Sequence, residues 1–358
     1  MNILYGIQGT GNGHLSRSRE VIRHLKQAGH NVRVILSGRP VEAFPEMPDL
    51  QPYDVFRGMT FVTEAGKIRT FKTALQLRIR RLFRDVRRYD ASGLDLVITD
   101  YEPVSARIAR RHGIPCIGIA HQYAFFYDVP RDPGTIVSRW VLRAFAPVER
   151  AIGLHYHHFG QPILPPILTQ AFPEGHDVVP NKVLVYFPFE DPDEVLELLR
   201  PFSRYEFFIY AKTDRPVDHG HLHQRPFSRE GFLADMVECS GIMANAGFML
   251  SSEALHLGKR LLVRPVAGQL EQLSNAVALE SMDRAYVMHG LEKNIVEAWL
   301  TSAPAEPMNY PAVASQLAAW IGRGNWDDLL RGLAESVWQQ GLDIGDQTSE
   351  TVVTETVD

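Results

Sequence analysis

The sequence predicts an α/β protein built from two Rossmann-like, doubly wound parallel-sheet domains. Three observations predict it. Strand-length apolar runs alternate with helical patterns from the first residues, a proline-dense stretch interrupts that alternation, and the alternation then begins again. With 358 residues the chain has room for two cores of ordinary size.

Residues 3–7 are a short apolar run that ends in glycines. Val21, Ile22 and Leu25 recur at helical spacing through 16–28, Gly29 stops the helix, and 32–36 read as a second strand. That order implies parallel strands joined by a right-handed crossover. Further strands fall over 94–99 and 115–120, with a helix over 104–111 between them. Pro162, Pro165, Pro166, Pro173 and Pro180, with Gly160 and Gly175, then break the rhythm. We therefore expect an N-terminal domain over 1–165, a linker over 166–181 and a C-terminal domain over 182–325. The second domain reads as strands over 183–187, 205–210, 241–244 and 260–263, separated by helices over 193–199, 230–239 and 250–257. A helix over 326–342 is expected to return to the N-terminal domain, and the polar, acidic tail 343–358 is expected to stay disordered. Open α/β sheets bind ligands beyond the carboxyl ends of their strands, so the two domains are expected to face each other across a cleft.

The composition, 45% apolar and 22% charged, is that of a globular protein. A net charge of −5 gives no general attraction for nucleic acid, and no nucleic-acid partner is expected. Cys116 and Cys239 both sit in apolar runs, which suits two buried thiols in a reducing compartment. The first residues enter a strand without the pattern of a signal peptide, and no apolar run is long enough to span a bilayer. The expected location is cytoplasmic. Residues 67–88 interleave nine Lys and Arg residues with apolar ones. Two readings stay open there: peripheral contact with the inner face of a membrane, or a solvated helix whose apolar stripe packs on a sheet.

Chemistry concentrates in the loops after strands. Gly9-Thr10-Gly11-Asn12-Gly13-His14 follows the first strand and opens a helix, where glycines admit a ligand close to the backbone. The third glycine position of a dinucleotide fingerprint is His14, and the second strand ends in Ser37-Gly38-Arg39 with no acid for a ribose. A dehydrogenase is disfavoured on those grounds, with Arg39 the one feature in its favour. An imidazole at the helix start can take a proton from a hydroxyl at neutral pH. Asp100, ending a later strand, is a second candidate base, an orienting partner for His14, or a cap for the next helix. His121, Gln122 and Tyr123 suit an acceptor wall or a buried interdomain hinge. The histidines at 155, 157 and 158 and at 219, 221 and 223 have no cysteines near them, and no metal site is assigned; 219–223 reads as a solvated loop. Asp191-Pro192-Asp193 reads as a helix cap.

The stretch from 241 to 276 carries most. A strand runs into Asn245-Ala246-Gly247-Phe248, a small-residue turn before a helix that suits a diphosphate. Glu253, in the first turns of that helix, can accept hydrogen bonds from both hydroxyls of a ribose. Glu271 and Gln272 sit beyond the next strand.

Asn245-Ala246-Gly247, Ser251-Ser252-Glu253-Ala254-Leu255, Gly258-Lys259, Glu271-Gln272 and Asn275-Ala276 resemble the donor-binding signature of GT-B glycosyltransferases. The likeness is greatest to the family 28-like group holding the peptidoglycan N-acetylglucosaminyltransferase and to the UDP-glucuronosyltransferases. The Gly11-Asn12-Gly13-His14 loop is similar to their N-terminal loop. The resemblance implies metal-independent, inverting transfer of a sugar from a nucleoside-diphosphate sugar, UDP-linked, to a hydroxyl acceptor, lipid-linked or part of a cell-envelope glycan. No cofactor is implied beyond that co-substrate. His14 would be the base. Gly11 and Gly13 would line the acceptor and diphosphate side. Beside the resemblance, the loop residue Asn12 and the run with His121, Gln122 and Tyr123 are expected to meet the acceptor. Backbone N–H groups of Ala246, Gly247 and Phe248 would hold the diphosphate, Glu253 the ribose, and Glu271 and Gln272 the transferred sugar. Asn245 departs from the histidine common at its place. Two alternatives stay open: a nucleotide-sugar 2-epimerase on the same fold, and a non-catalytic nucleotide-sugar-binding protein.

Overall fold

The computed structural model describes residues 1–44, 47–58, 71–168, 172–173, 177–326 and 330–351, without the side chains of 71–78, 135–138 and 342–351. The chain divides into two compact units. One comprises Met1–Val129, Pro133–Thr169 and Pro311–Gln340; the other comprises Pro130–Asp132, Gln170–Tyr310 and Gly341–Asp358.

The N-terminal unit holds β1 (Asn2–Gln8), α1 (Asn12–Gln27), β2 (Asn31–Ser37), β3 (Tyr53–Phe56), α2 (Phe71–Arg88), β4 (Leu96–Asp100), α3 (Pro103–His112), β5 (Cys116–Ala120), α4 (Thr135–Phe145) and β6 (Arg150–Gly153). Its strands lie in the order β3-β2-β1-β4-β5-β6, and every pair is parallel. The order follows from burial. Ile3, Leu4, Tyr5 and Ile7 of β1 are all inaccessible to solvent, as a central parallel strand covered on both faces requires. Cys116 is buried in β5, where burial pushes its thiol pKa well up. In α2, Leu82 and Val86 join the core beside Leu4, Ile35 and Val97, while Arg80, Arg81, Arg84, Arg87 and Arg88 are exposed.

Local signals set the helix ends. Glu102 caps α3 by accepting from the backbone N–H groups of Val104 and Ser105 at 2.8 and 2.6 Å. Gly113 ends that helix with φ 64°, a left-handed conformation that glycine adopts without strain. Gly6 in β1 lies directly under this cap, where a Cβ would overlap the Ser105 side chain and the Glu102 carboxylate. Gly6→Ala should therefore cost about 1–3 kcal/mol through overpacking. A urea midpoint unchanged from wild type would refute that.

The C-terminal unit holds β7 (Val179–Tyr186), α5 (Pro192–Leu199), β8 (Glu206–Tyr210), β9 (Val217–His219), β10 (Leu222–Arg225), α6 (Arg229–Glu238), β11 (Cys239–Asn245), α7 (Phe248–His256), β12 (Arg260–Arg264), α8 (Leu270–Ser281), β13 (Tyr286–Val287) and α9 (Lys293–Leu300). Its strand order is β13-β12-β11-β7-β8-β10-β9. All pairs are parallel except β9 with β10. Val183, Val185, Phe207, Met243, Leu262 and Trp299 form its core. The α/β class and its Rossmann-like parallel sheets are as the sequence predicts.

Three expectations are corrected. Residues 219–223 are not a loop but part of a hairpin, because Gly220 at φ 66° reverses the chain tightly between β9 and β10. The return to the N-terminal unit begins at Pro311 rather than 326, since α10 (Val313–Gly322) packs on α1. Finally, α11 (Leu330–Thr351) continues through 343–351 of the tail expected to stay disordered, since no proline stops it and residues added to a formed helix each gain a hydrogen bond; the rest of that tail, 352–358, lies outside the described residues. Within α11, Trp338 donates from its indole N–H to the Ile163 carbonyl at 2.8 Å, which ties the helix to the N-terminal unit.

Candidate active site

In the N-terminal sheet the chain leaves β1 toward β2 on one side, and β4 lies on the other. The carboxyl ends of β1 and β4 therefore flank the topological switch point, where open α/β sheets bind ligands. Ile7 stands in register with Asp100, so the last residue of β4 lies beside the loop that leads into α1. Gly11 is the N-cap of α1 in an extended conformation, with Asn12, Gly13 and His14 in the first turn. Gly9 donates to the Ser37 carbonyl at 2.7 Å, and its Cα faces the Phe44 ring with no room for a Cβ. Arg39 fastens the same loop: its Nε donates to the Gly9 carbonyl, and its Nη2 donates to Asn12 Oδ1 at 3.1 Å. The arginine that favoured a 2′-phosphate is thus engaged in holding the loop. Asn12, assigned to the acceptor, has its side-chain oxygen turned to that arginine.

His14 and Asp100 meet. Nδ1 of the imidazole is 2.9 Å from Asp100 Oδ1, and His14 keeps some solvent exposure while Asp100 has none. Glu102 is the cap of α3, so Asp100 is free of that task and turns to α1. The carboxylate also receives Arg17 Nη2 on Oδ1 at 2.5 Å, with Arg17 Nε at 2.8 Å and Ser18 Oγ at 3.0 Å on Oδ2. Burial works to raise the pKa of Asp100, but the charges of Arg17 and His14 and their hydrogen bonds outweigh it and hold the carboxyl below its usual value. Arg17 Nη2 also lies 2.6 Å from Nδ1; in the tautomer whose Nδ1 donates to Asp100, Nε2 carries the lone pair a general base needs.

Arg17 and Ser18 were missed in the sequence. A signal was present: they stand three and four residues after His14, on the stripe that continues through Val21, Ile22 and Leu25. Polar residues in a buried stripe require partners, and Asp100 is theirs.

The acceptor wall is corrected. His121 and Tyr123 lie in a short 3₁₀ turn and are fully buried. The Tyr123 hydroxyl donates to the Ala146 carbonyl at 3.1 Å, and its ring packs among Tyr101, Phe145 and Ala120. His121 Nδ1 contacts the Leu154 carbonyl at 2.8 Å. Gln122 is buried with them. The apolar residues around this turn draw it into the core, so its rings are not presented to a ligand. The histidines at 155, 157 and 158 accept from backbone N–H groups of Tyr156, Phe159 and Gly160, and His223 lies between Asp218 and Glu206. No group of three His, Cys, Asp or Glu suited to a metal occurs among the described residues.

The C-terminal unit repeats the topology. β7 leads to β8 on one side, and β11 lies on the other, which puts Asn245 at this sheet's switch point. Asn245 Nδ2 donates to Glu190 Oε1 at 3.1 Å and to the Arg264 carbonyl at 3.0 Å, and Arg264 pairs with the same glutamate. Glu190 and Arg264 are two more residues that sequence reasoning missed: Glu190 opens an acidic run beyond β7, and Arg264 is the last residue of β12. Ala246 is buried, and its carbonyl accepts from Asn275 Nδ2 at 2.9 Å. Gly247 is the N-cap of α7 and has no side-chain cap, so the first turn beginning at Phe248 presents its N–H groups and the positive end of the helix dipole. Glu253 sits one turn further along α7, where burial pushes its pKa up to about 7, with Arg229 acting against the rise. Gln272 Oε1 accepts from the Val266 N–H at 3.0 Å and closes the loop after β12, with Glu271 in the first turn of α8. Asp191 caps α5 by accepting from the Asp193 N–H at 2.9 Å, as its Asp-Pro-Asp pattern predicts.

Solved structures share this architecture. The calicheamicin glycosyltransferase CalG4 matches over 100% of both chains at 14% identity with a TM-score of 0.58. A glycosyltransferase of Streptomyces sp. SF2575, SsfS6, solved with thymidine diphosphate, matches over 96% of both chains at 14% identity with a TM-score of 0.52. UGT89C1 of Arabidopsis thaliana, solved with UDP, matches over 95% of this chain and 94% of its own at 12% identity with a TM-score of 0.56. A search of curated proteins finds no match. Residues 1–304 match the family model described as Glycosyl transferase family 1, and the chain belongs to that family of glycosyltransferases.

Proposed function

We propose that this glycosyltransferase moves a sugar from a nucleoside-diphosphate sugar, UDP-linked, to a hydroxyl acceptor, with inversion at the anomeric carbon and without a metal ion. The observation that carries the reading is the His14–Asp100 pair at the N-terminal switch point. Nε2 of His14 takes the acceptor proton as the acceptor oxygen bonds to the anomeric carbon. The bond from that carbon to the diphosphate oxygen breaks, and its electron pair leaves with the nucleoside diphosphate. The imidazolium then returns its proton to water. On the C-terminal unit, the N–H groups at the start of α7 stabilise the charge that gathers on the diphosphate, Glu253 accepts from the ribose hydroxyls, and Glu271 with Gln272 meets the transferred sugar. That two structures of similar fold were solved with thymidine diphosphate and UDP supports the donor class.

The test is transfer in the presence of EDTA. Acceptor-dependent release of UDP, with product of inverted anomeric configuration by NMR, is the expected result. Retention of configuration, or a strict need for a divalent ion, contradicts the mechanism. A 2-epimerase would instead place solvent deuterium at C2 of the sugar without any acceptor.

The kinship proposed for the acceptor is with enzymes of lipid-linked, cell-envelope glycans, as in the peptidoglycan group. Exposed Phe83 on α2, 51% accessible and flanked by exposed Arg80, Arg84 and Arg87, supports peripheral binding to an anionic membrane. Residues 67–70 of that basic segment lie outside the described residues. Co-sedimentation with vesicles containing phosphatidylglycerol should fall at least several-fold in a Phe83→Ser, Arg84→Ser, Arg87→Ser variant. Equal binding by that variant and wild type would remove α2 from the account.

A further inference from the structure

Asp100 is buried at the end of β4, and a bare carboxylate there would act strongly on the imidazole beside it. The structure does not leave it bare. Arg17, itself only 3% exposed, grips both carboxylate oxygens, and its Nη2 also lies 2.6 Å from His14 Nδ1. His14 and Arg17 are three residues apart on α1, so one helix face presents the imidazole and the guanidinium to one carboxylate. Resting on the reading of His14 as the base, we propose that Arg17 is a positioning residue that balances the charge of Asp100 and fixes its orientation, so that His14 works beside a paired carboxylate.

An unpaired carboxylate within hydrogen-bonding distance stabilises imidazolium, and a protonated imidazole cannot accept a proton from the acceptor. Arg17 cancels most of that field while leaving Asp100 able to accept from Nδ1–H. Oδ1 and the guanidinium both face Nδ1, and only one proton lies on that nitrogen. The arrangement in which Nδ1 donates to Asp100 leaves Nε2 as the base. Among the described residues, Tyr5, Tyr123 and Glu102 are the further titratable groups set against this cluster. Tyr5 of β1 stays a neutral phenol because burial and the charge of Asp100 both raise its pKa. Tyr123 is raised by burial in the same way, and Glu102 is tied to Ser37 and the start of α3.

The experiment follows the ring of His14 by ¹⁵N NMR against pH, with the pH profile of kcat/KM in parallel, for wild type, Arg17→Met, Arg17→Lys and Arg17→Met/Asp100→Asn. In Arg17→Met the His14 titration midpoint and the acid limb of the profile should both rise by about one pH unit or more. Arg17→Lys, which keeps the charge and loses the fork, should move them less. The double variant should bring the midpoint back down. If Arg17→Met fails to fold while the double variant folds, the unpaired buried charge is the fault, which supports the proposal. It is overturned if Arg17→Met folds with an unmoved midpoint, or if the single and double variants are equally unfolded. Because the NMR midpoint does not depend on turnover, a His14→Ala protein with full activity would sink the base assignment separately.

Discussion

His14→Ala should lower kcat by about 1000-fold, the usual scale for loss of a general base, and leave nucleotide-sugar affinity within about twofold. The reason lies in the placement of the two functions. The imidazole belongs to the N-terminal unit and is bound through Nδ1 to Asp100, while the groups proposed to hold the donor are on α7 and α8 of the C-terminal unit. Asp100→Asn should behave differently. It replaces one acceptor oxygen with an amide donor, takes away the charge that favours a proton on Nδ1 and leaves Arg17 a buried cation without its counter-charge, so a large fall in kcat should come with a lower melting temperature. Steady-state rates with donor titrations by calorimetry check both. A His14→Ala enzyme whose loss appeared wholly as weaker donor binding would place the histidine in the donor site instead.

Glu253→Gln should weaken donor binding by one to two orders of magnitude, and it should do so most at alkaline pH. A carboxylate accepts from two ribose hydroxyls, and its pKa of about 7 in the free protein means that the donor competes with a proton. Wild-type affinity should rise as pH increases from about 6 to 8, roughly tenfold per unit on the acid side, while the glutamine variant stays flat. The stability of the free protein should move the other way. The folded pKa of about 7 exceeds the ordinary 4.5, so the folded state holds this proton more tightly than the unfolded state between those values. Stability from this group is full below pH 4.5, declines as pH rises and is lost above about 7. On the order of 3 kcal/mol is involved, at about 1.4 kcal/mol per pH unit. Glu253→Gln should therefore melt higher than wild type at pH 8 without ligand and gain less from the donor. A variant with wild-type affinity at pH 8 would dismiss the ribose role.

What the sequence made legible follows the local nature of the signals. The alternation of strands and helices, the turn before α7 and the Asp191 cap are written in neighbouring residues, and each is found where it is read. The His14–Asp100 contact joins residues 86 apart, yet it too was within reach, because Asp100 ends β4, His14 opens the helix that follows β1, and the parallel pairing of those strands puts their carboxyl ends side by side. Arg17 could be noticed only as a misfit in an apolar stripe, and Glu190 with Arg264 not at all, since their pairing depends on three-dimensional neighbours of β11. The error at His121 and Tyr123 has the same origin. A polar-aromatic run beyond a strand looks identical whether it lines a ligand or is drawn into the core, and only the partners at Leu154 and Ala146 distinguish the two.

The central claim is that the C-terminal unit grips a nucleoside-diphosphate sugar through the start of α7 and Glu253. Thermal denaturation of wild type and Glu253→Ala with UDP-, TDP- and GDP-sugars in EDTA at pH 8 tests it most directly. The account predicts a rise of several degrees with a UDP-sugar for wild type, largely absent in Glu253→Ala. No rise with any nucleotide sugar, or an equal rise in the variant, would contradict it.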